Sequence, residues 1–574
     1  MQLSKTVFYL IAFVLLILLV CVGYQWHCFY VNSYQTILKT YLVNHPDIYR
    51  HHLFGKQLFT PKTYQQALVW LLVGFNVTYL LKAFWWHYQT PIISHIQKLS
   101  EDFKSIKKTF MNIFLAHTST QKKMFIGLVG CVLIHQIYMY NTIFVAMDES
   151  FSWLYFASQG VSVTITHYPV PNNHVFYNLC SSFWNLLIID DILAIRITAL
   201  LSFWALWSMC YVYLYRKFNF STAYVSSIIL GLGFSQSVFS VQARGYMLCT
   251  FLIVLAFFCL LEYLEKRTSF YLFIFTIACI LGFFTIPVFL FAMIAFYGYL
   301  LWQFFQKRHQ DTFQTFFVVG LIVMACVFLL YLPILVYSGK NALFGNENVS
   351  PTSYDSHKFF TYILPIAFRE SIIYVFSIPK YVAFTGALFV TIAGFYLFKN
   401  RKKLHLPLFY EKFWSFIAVS LFTAGIVICI MRAFPFYRVW TYYAVFLSFM
   451  LGIVLSQWMQ TFVNIRLILF LVLIFIFSFT QFHREIEDFY EPQSYIHHKK
   501  IEKEIRECIE SKKTIHSSEE AFYVRFWLKY HNAENLLKEN PCSAEIIIQD
   551  VQYPPPICYK NFRDISFLRV YQNN

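Results

Sequence analysis

The chain contains two adjacent carboxylates, Asp148 and Glu149, directly after an apolar segment of residues 124–147. Ionisable groups beside a membrane span are costly to place, so they are candidates for function. Residues 160–196 follow as a long polar and aromatic stretch, which we predict to be a loop. Long loops that carry structure often carry function as well. We therefore expect Asp148 and Glu149 to be catalytic, the alternative being that they only cap a helix end at the membrane surface.

Histidine, aromatic and arginine side chains that could complete a site recur in this loop and at two later positions. The predicted topology assigns all of them to the same side of the membrane as Asp148. The loop candidates, which we expect to contact substrate, are His167, Asn173, His174, Tyr177 and Arg196. The later candidates, which we expect to bind a phosphate group, are Arg244, Tyr246 and Arg438. Taken singly, Arg244 and Arg438 have a simpler explanation as anchors to lipid headgroups, and His174 as a hydrogen-bonded loop residue.

One carboxylate and several arginines at a membrane face suit the transfer of a sugar from a polyprenyl phosphate to a hydroxyl group. The lipid phosphate leaves as an anion, so it requires positive charge where negative charge develops, and no general acid. Arginine supplies planar, two-pronged contacts to phosphate. One carboxylate is enough to take the proton of the acceptor hydroxyl, whereas hydrolysis of an ordinary glycosidic bond requires two carboxylates.

The composition excludes a soluble enzyme and is typical of a polytopic membrane protein. The 574 residues are 58% hydrophobic, 21% aromatic and only 13% charged,. The net charge of +16 is spread over short loops, which indicates membrane topology and attraction to anionic lipid, with no nucleic-acid partner. The cysteines form no CxxC or Cys/His cluster, so the sequence predicts no metal ligands and no certain cofactor; a divalent metal is left open.

The hydropathy pattern predicts an all-α polytopic membrane protein with about 13 transmembrane helices, because lipid offers backbone groups no other partner. The predicted spans are residues 7–26, 66–86, 124–146, 197–215, 222–240, 247–264, 270–285, 287–305, 315–337, 380–398, 413–431, 441–459 and 465–482. The division within 270–305 depends on Pro287, since proline ends or kinks a helix. A single long tilted helix is the alternative there.

Three parts are expected along the chain. Residues 1–122 would form a two-helix membrane hairpin with a cytoplasmic amphipathic segment, and residues 123–482 a catalytic core of about eleven helices. Residues 483–574 would form a small α/β domain outside the cytoplasm. Within this domain the patterns predict a helix around 497–512 and strands at 543–548 and 565–571,. A disulfide between Cys542 and Cys558 is the preferred pairing.

Lysine and arginine crowd alternate loops, and this sets the expected orientation. The basic loops are residues 87–123, 216–221, 265–269, 306–314, 399–412 and 460–464. Because such loops stay in the cytoplasm, the N-terminus is expected inside and Asp148 outside, together with the C-terminal domain. We expect an integral protein of the bacterial plasma (inner) membrane.

The order of these motifs resembles the GT-C class of integral membrane glycosyltransferases, in particular bacterial relatives of protein O-mannosyltransferases and of the lipid A aminoarabinose transferase. That pattern has Asp-Glu after the first core helix, a His-Pro-x-Tyr-Tyr or Lys-Pro-Pro-x-Tyr-Tyr element, an Arg before the next helix, Ala-Arg-x-Tyr, and a late Pro-x-x-Arg turn. The similar stretches here are Asp148-Glu149, Asn173-His174-Val175-Phe176-Tyr177, Arg196, Ala243-Arg244-Gly245-Tyr246 and Phe434-Pro435-Phe436-Tyr437-Arg438. Val175 and Phe176 stand where the family more often has Pro and Tyr. The resemblance covers about residues 123–300 and 430–460.

The resemblance implies a GT-C-like core and an inverting glycosyltransferase that uses a polyprenyl-phosphate sugar donor. Asp148 would then be the base, and the arginines would contact the donor phosphate. The acceptor would be a lipid, a glycan or a protein, and membrane lipid would be a further partner. A transporter or flippase of a lipid-linked glycan is the alternative, although no internal repeat of the kind that many transporters contain is evident. A non-catalytic scaffold is a third.

Overall fold

In the computed structural model of the protein, helices dominate the described part of the chain. The structure describes residues 2–44, 59–306, 310–344, 356–376, 380–404, 406–435, 437–458, 465–477, 502–517, 522–538, 543–550, 562–565 and 568–572. The predicted disulfide between Cys542 and Cys558 lies outside these residues, as do residues 478–482 of the last predicted span.

The helices of the first half include three short ones, α6 to α8, that follow the predicted third span. The first five are α1 (Gln2–Val31), α2 (Tyr34–Asn44), α3 (Pro61–His87), α4 (Gln89–Leu115) and α5 (Ser119–Thr142). The next four are α6 (Met147–Tyr155), α7 (Val161–Thr166), α8 (Val175–Asn185) and α9 (Asp191–Lys217). They are followed by α10 (Phe220–Leu232), α11 (Phe234–Val241) and α12 (Tyr246–Lys266).

The helices of the second half are mostly long and apolar. They are α13 (Ser269–Thr285), α14 (Leu290–Phe305), α15 (Gln310–Tyr337), α16 (Lys340–Phe344), α17 (Leu364–Phe376), α18 (Lys380–Lys399), α19 (Leu408–Met431), α20 (Thr441–Trp458) and α21 (Ile465–Phe477). Helix α13 ends at Thr285, and a 3₁₀ turn at Pro287–Phe289 precedes α14. The predicted boundary at Pro287 is therefore confirmed.

Among the described residues, nine helices are long and apolar enough to cross a membrane, or ten when the bent pair α10 and α11 counts as one span. Three shorter apolar helices, Ser269–Thr285, Gly386–Lys399 and Ile465–Phe477, lie at further predicted spans. The prediction of an all-α polytopic membrane protein is confirmed at this level. The count of 13 spans stays a prediction.

The predicted span 222–240 is not one straight helix. Helices α10 and α11 meet at an angle of 58° across Gly233. A side chain at Gly233 would approach the carbonyl oxygen of Ile229 to 2.7 Å, so the break requires a residue without Cβ,. Beyond the break, Ser235, Gln236 and Ser237 are buried. Hydropathy missed the bend because these polar residues are diluted by apolar neighbours within the window.

Residues 160–196 are mostly helical, and the prediction of a loop there is wrong. Helices α7 and α8 and the start of α9 occupy this stretch, and much of it is buried. The end of α15 secures it, since Ser338 accepts a hydrogen bond from the Tyr168 N–H and donates one to the Thr166 carbonyl. The helices are too short to show a clear period in the sequence, which is why they read as a loop.

The described C-terminal residues form an α/β arrangement that lies against α6. The helices are α22 (502–510) and α23 (Phe522–Tyr530). The strands β1 (Ile515–Ser517), β2 (Ile546–Asp550), β3 (Phe562–Ile565) and β4 (Leu568–Gln572) form a sheet in the order β1-β2-β4-β3. The predicted strand at 565–571 instead spans the end of β3 and most of β4, which pair in antiparallel fashion. Phe526 on α23 packs edge-on against Trp153 of α6.

The N-terminal hairpin is attached to the core through α15. The amide of Gln25 donates a 2.6 Å hydrogen bond to the Tyr337 hydroxyl, and the Leu332 side chain fills the space beside Gly74. Besides α1 and α3, which lie at the two predicted spans, this N-terminal part contains α2 and the long α4. The extracytoplasmic location of the C-terminal residues stays a prediction.

Helices α10 and α20 touch at Gly452, where we expect a packing defect on substitution. A Cβ at Gly452 would lie 3.0 Å from the Ser226 backbone nitrogen and 2.9 Å from the Ser226 Cβ, which cannot swing away. Gly452→Ala should therefore lower the free energy of unfolding by about 1–3 kcal/mol. Gly425→Ala is the matched control, because a Cβ there meets nothing within 4 Å. Unfolding in mixed micelles measures both, and equal stability of the two variants would contradict this packing.

Candidate active site

A buried ion pair between Glu149 and Arg196 lies at the centre of the candidate site. The carboxylate is 0% and the guanidinium 2% exposed, and their closest atoms, Glu149 Oε2 and Arg196 Nη2, are 3.1 Å apart. Arg196 Nε donates to the other carboxylate oxygen, Oε1, over 3.1 Å. The contact is thus two-pronged, which is the strongest geometry for an arginine and a carboxylate.

Backbone groups complete the hydrogen bonding of this pair. The remaining N–H groups of Arg196 donate to the carbonyl oxygens of Tyr140, Ile143 and Phe144, at 3.4, 3.1 and 3.0 Å. Glu149 accepts the N–H groups of Ala146 and Ala243. The Ala146 bond closes the start of α6, as a glutamate at the third helical position often does.

Glu149 and Arg196 are therefore buried and fully engaged, and this revises the sequence-based roles. Glu149 was expected to be catalytic and Arg196 to line a substrate loop. Neither reaches a surface that a substrate could touch. A buried charge persists only when it is paired and hydrogen-bonded. Through these hydrogen bonds Glu149 and Arg196 hold the backbone of the neighbouring segments in place.

Asp148 has the opposite environment although it is the next residue in the chain. Its side chain is 43% exposed and lies between two arginines. Asp148 Oδ2 is 3.3 Å from Arg244 Nη2 and 3.1 Å from Arg438 Nη1. Side chains at adjacent positions on a helix point about 100° apart. Glu149 therefore points into the protein core, whereas Asp148 points towards an accessible surface.

Two different elements supply the arginines. Arg244 lies in the short connection between α11 and α12, directly after Ala243, whose N–H is bound by Glu149. Arg438 lies in a 3₁₀ turn, Tyr437–Trp440, just before α20. The structure thus brings together Asp148, Arg244 and Arg438, which the sequence grouped by their chemistry and by their predicted side of the membrane.

Tyr246 lies beneath both arginines. The guanidinium carbons of Arg244 and Arg438 are each 5.6 Å from the centre of its ring. The negative face of an aromatic ring attracts such cations and restricts their orientation. Tyr246 is itself packed edge-on against His174, with ring centres 5.1 Å apart.

The loop candidates take supporting places around this centre. His174 accepts the Gly245 N–H through Nδ1 over 2.8 Å, and Tyr177 donates to the carbonyl oxygen of Ile195 over 2.6 Å. The Asn173 amide donates to the carbonyl oxygens of Thr164 and His167 over 2.9 Å each. All four candidates, His167, Asn173, His174 and Tyr177, are buried. Asn173, His174 and Tyr177 thus bond backbone near the site rather than facing an open surface.

Residues that sequence reasoning missed hold the two arginines in place. Asn172 accepts a hydrogen bond from Arg244 and donates one to the Asp148 carbonyl. Thr441 donates to the carbonyl oxygen of Arg438 over 2.6 Å, and Gln236 donates to the carbonyl oxygen of Thr441 over 3.0 Å. Asn172 stood beside predicted residues, whereas nothing in the sequence marks Gln236 or Thr441, because both act on backbone carbonyl groups and Gln236 does so from a distant helix.

The electrostatics of the site keep Asp148 charged and His174 neutral. Partial burial favours a raised pKa for Asp148, but attraction to Arg244 and Arg438 outweighs it, so the pKa is lowered from its usual value,. Burial, together with the two arginines, lowers the pKa of His174 well below its usual value. A neutral His174 agrees with its Nδ1 accepting the N–H of Gly245,. At neutral pH the centre is therefore one carboxylate against two guanidinium groups.

Among the residues that the structure describes, no three His, Cys, Asp or Glu side chains lie close enough to hold a metal ion together. Comparisons of the chain with protein-family models, with curated proteins and with solved structures gave no match. The resemblance of the motifs to GT-C enzymes stays a prediction.

The buried pair and the exposed acid should respond differently to loss of charge. Glu149→Gln leaves the Arg196 guanidinium buried without a counter-ion, which should cost about 3–5 kcal/mol of unfolding free energy. Asp148→Asn removes a partly exposed contact one residue away and should cost about 1 kcal/mol or less. Reversible unfolding in mixed micelles compares the two. A larger loss in Asp148→Asn than in Glu149→Gln would reverse the roles assigned here.

Proposed function

We propose that this protein is an inverting membrane glycosyltransferase, which moves a sugar from a polyprenyl-phosphate donor to an acceptor hydroxyl. The observation that carries the proposal is the half-exposed Asp148 carboxylate held between Arg244 and Arg438. One carboxylate with two guanidinium groups matches one proton to be removed and one phosphate to be stabilised.

The arginines would bind the donor phosphate and stabilise it as it leaves. Arg244 is only 6% and Arg438 29% exposed, so their charges act in a medium that screens them less than water does. The Tyr246 ring beneath both would keep them aimed at one point. Negative charge grows on the phosphate oxygen as its bond to the sugar breaks, and fixed cations there favour the transition state.

Asp148 would accept the proton of the acceptor hydroxyl. The acceptor oxygen then bonds to the anomeric carbon, while the bond from that carbon to the phosphate oxygen breaks and polyprenyl phosphate departs with the electron pair. A single displacement of this kind inverts the anomeric centre. The donor phosphate would compete with Asp148 for both arginines, so its binding would free the carboxylate and make it a stronger base.

The proposal extends to the setting of the reaction. Asp148 would face the outer side of a bacterial plasma membrane, with the N-terminus cytoplasmic and the described C-terminal residues outside. The core would be GT-C-like with 13 spans, and the acceptor would be a lipid, a glycan or a protein. A donor whose tail stays in the bilayer requires a site at the membrane surface, which suits the position of Asp148 just after α5.

Asp148→Asn should lower transfer by about a hundredfold or more, the usual share of general-base catalysis. The assay incubates purified protein with radiolabelled polyprenyl-phosphate sugars and envelope fractions, and follows label into lipid, glycan and protein. Asp190→Asn is the matched control, because asparagine caps a helix as well as aspartate does and Asp190 caps α9,. Wild-type transfer by a folded Asp148→Asn variant would remove this residue from the mechanism.

Arg438→Ala should weaken binding of a donor analogue by about ten- to a hundredfold, the loss of a hydrogen bond to a charged group. Arg438→Lys should restore binding only in part, because an ammonium group cannot make the two-pronged contact. Arg369→Ala serves as control, since Arg369 is half exposed and pairs with its neighbour Glu370. Full restoration by lysine would indicate a mere anchor to lipid headgroups. Isothermal titration in micelles gives these affinities.

A further inference from the structure

A groove of about 640 Å³ runs between α1 and α3, in the N-terminal hairpin. Its volume lies within the range of small-molecule sites. Ala12 of α1 and Ala83 of α3 both line it, and their side chains are small. Nearby, Phe8 stacks on Trp85 and its carbonyl oxygen accepts the indole N–H over 3.2 Å. The two helices are therefore held at this end while the groove beside them stays free of side chains.

The lining of the groove is mostly apolar and open to the outside of the bundle. Phe13, Tyr79 and Trp86 contribute to it and are each more than half exposed. Both helices are long and apolar enough to span a membrane. Their outer surface then faces hydrocarbon, and the material available to fill a gap there is a lipid chain.

Polar groups gather among the lining residues. Lys82 and His87 lie near the C-terminal end of α3, and Lys82 brings a positive charge into the mostly apolar groove. An ionisable residue in a span normally has a specific partner or function. The Tyr9 hydroxyl accepts the Gln89 amide over 3.2 Å, which leaves its own hydrogen free to donate,. A phosphate group satisfies an ammonium, an imidazole and a hydroxyl donor at once.

We propose that this groove binds one anionic glycerophospholipid of the bilayer leaflet that contains the start of α1. An acyl chain lies along Phe13 and Ala83, and the headgroup phosphate contacts Lys82. Basic pockets between membrane helices bind anionic headgroups by the same combination of charge and apolar surface. The lipid fills the gap between α1 and α3 and so completes the packing of the hairpin. This inference does not depend on the proposed transfer reaction.

Lipid retention by the full-length protein tests the proposal. Native mass spectrometry after titration with phosphatidylglycerol or phosphatidylcholine counts the bound lipids. The wild-type protein should retain one phosphatidylglycerol and about tenfold less phosphatidylcholine. Lys82→Gln removes the charge but keeps a polar, flexible side chain, and should lower phosphatidylglycerol retention by about tenfold or more. Ala83→Trp fills the groove and should lower retention of both lipids.

Lys98→Gln is the matched control, because Lys98 is an exposed lysine of α4 that does not line the groove. It should retain phosphatidylglycerol as the wild-type protein does. Thermal unfolding of each variant shows that it remains folded. The proposal is overturned if Lys82→Gln binds like the wild-type protein, if the wild-type protein retains both lipids equally, or if Lys98→Gln loses as much as Lys82→Gln.

Discussion

The ion pair between Glu149 and Arg196 is the interaction on which the candidate site depends. Removing two charges from water costs several kcal/mol per ion, and only complete hydrogen bonding offsets that cost. Here the guanidinium group donates five hydrogen bonds, and both carboxylate oxygens also accept backbone N–H groups. The partners come from the end of α5, the start of α6 and the connection before α12. The pair therefore fixes three segments at once, and Asp148 and Arg244 are carried into place as the immediate neighbours of Glu149 and Ala243.

Asp148 and Glu149 carry the same functional group, but they differ in burial and therefore in the contacts open to them. Glu149 is buried and both of its carboxylate oxygens accept hydrogen bonds, so its charge serves to hold the surrounding structure together. Asp148 is nearly half exposed and bound only by side chains that a competing anion could take over. Rigid support beneath an accessible group is what precise positioning requires, because a reacting atom displaced by even 1 Å loses much of its rate.

The sequence predicted those features that depend on single residues or on long apolar runs. The sequence correctly grouped four residues that lie together, namely Asp148, Arg244, Tyr246 and Arg438. Charged residues at the ends of spans lie at a membrane surface, and the direction of successive spans alternates, so the sequence indicates which ends share a side. The catalytic role predicted for Glu149 stays a prediction, but its burial against Arg196 was not foreseen, since a carboxylate gives no sign in sequence of whether a distant arginine covers it. The short helices α7 and α8 and the bend at Gly233 were missed for a related reason. Hydropathy reports how a segment partitions into lipid, whereas these features arise from what the segment meets once the helices have packed.

Contacts that join distant parts of the chain also set the order of events during synthesis. Asp148 meets Arg438 across 290 positions, and Ser158, close to the same helix, meets Lys529 across 371. Contacts at such separations form late, since the intervening chain must first be made and brought back. The helices that insert first would therefore stay in the bilayer without these long-range contacts until the later helices are made. A chain interrupted before Arg438 would carry Asp148 and Arg244 but not the second guanidinium group, and so would lack the charge arrangement of the candidate site.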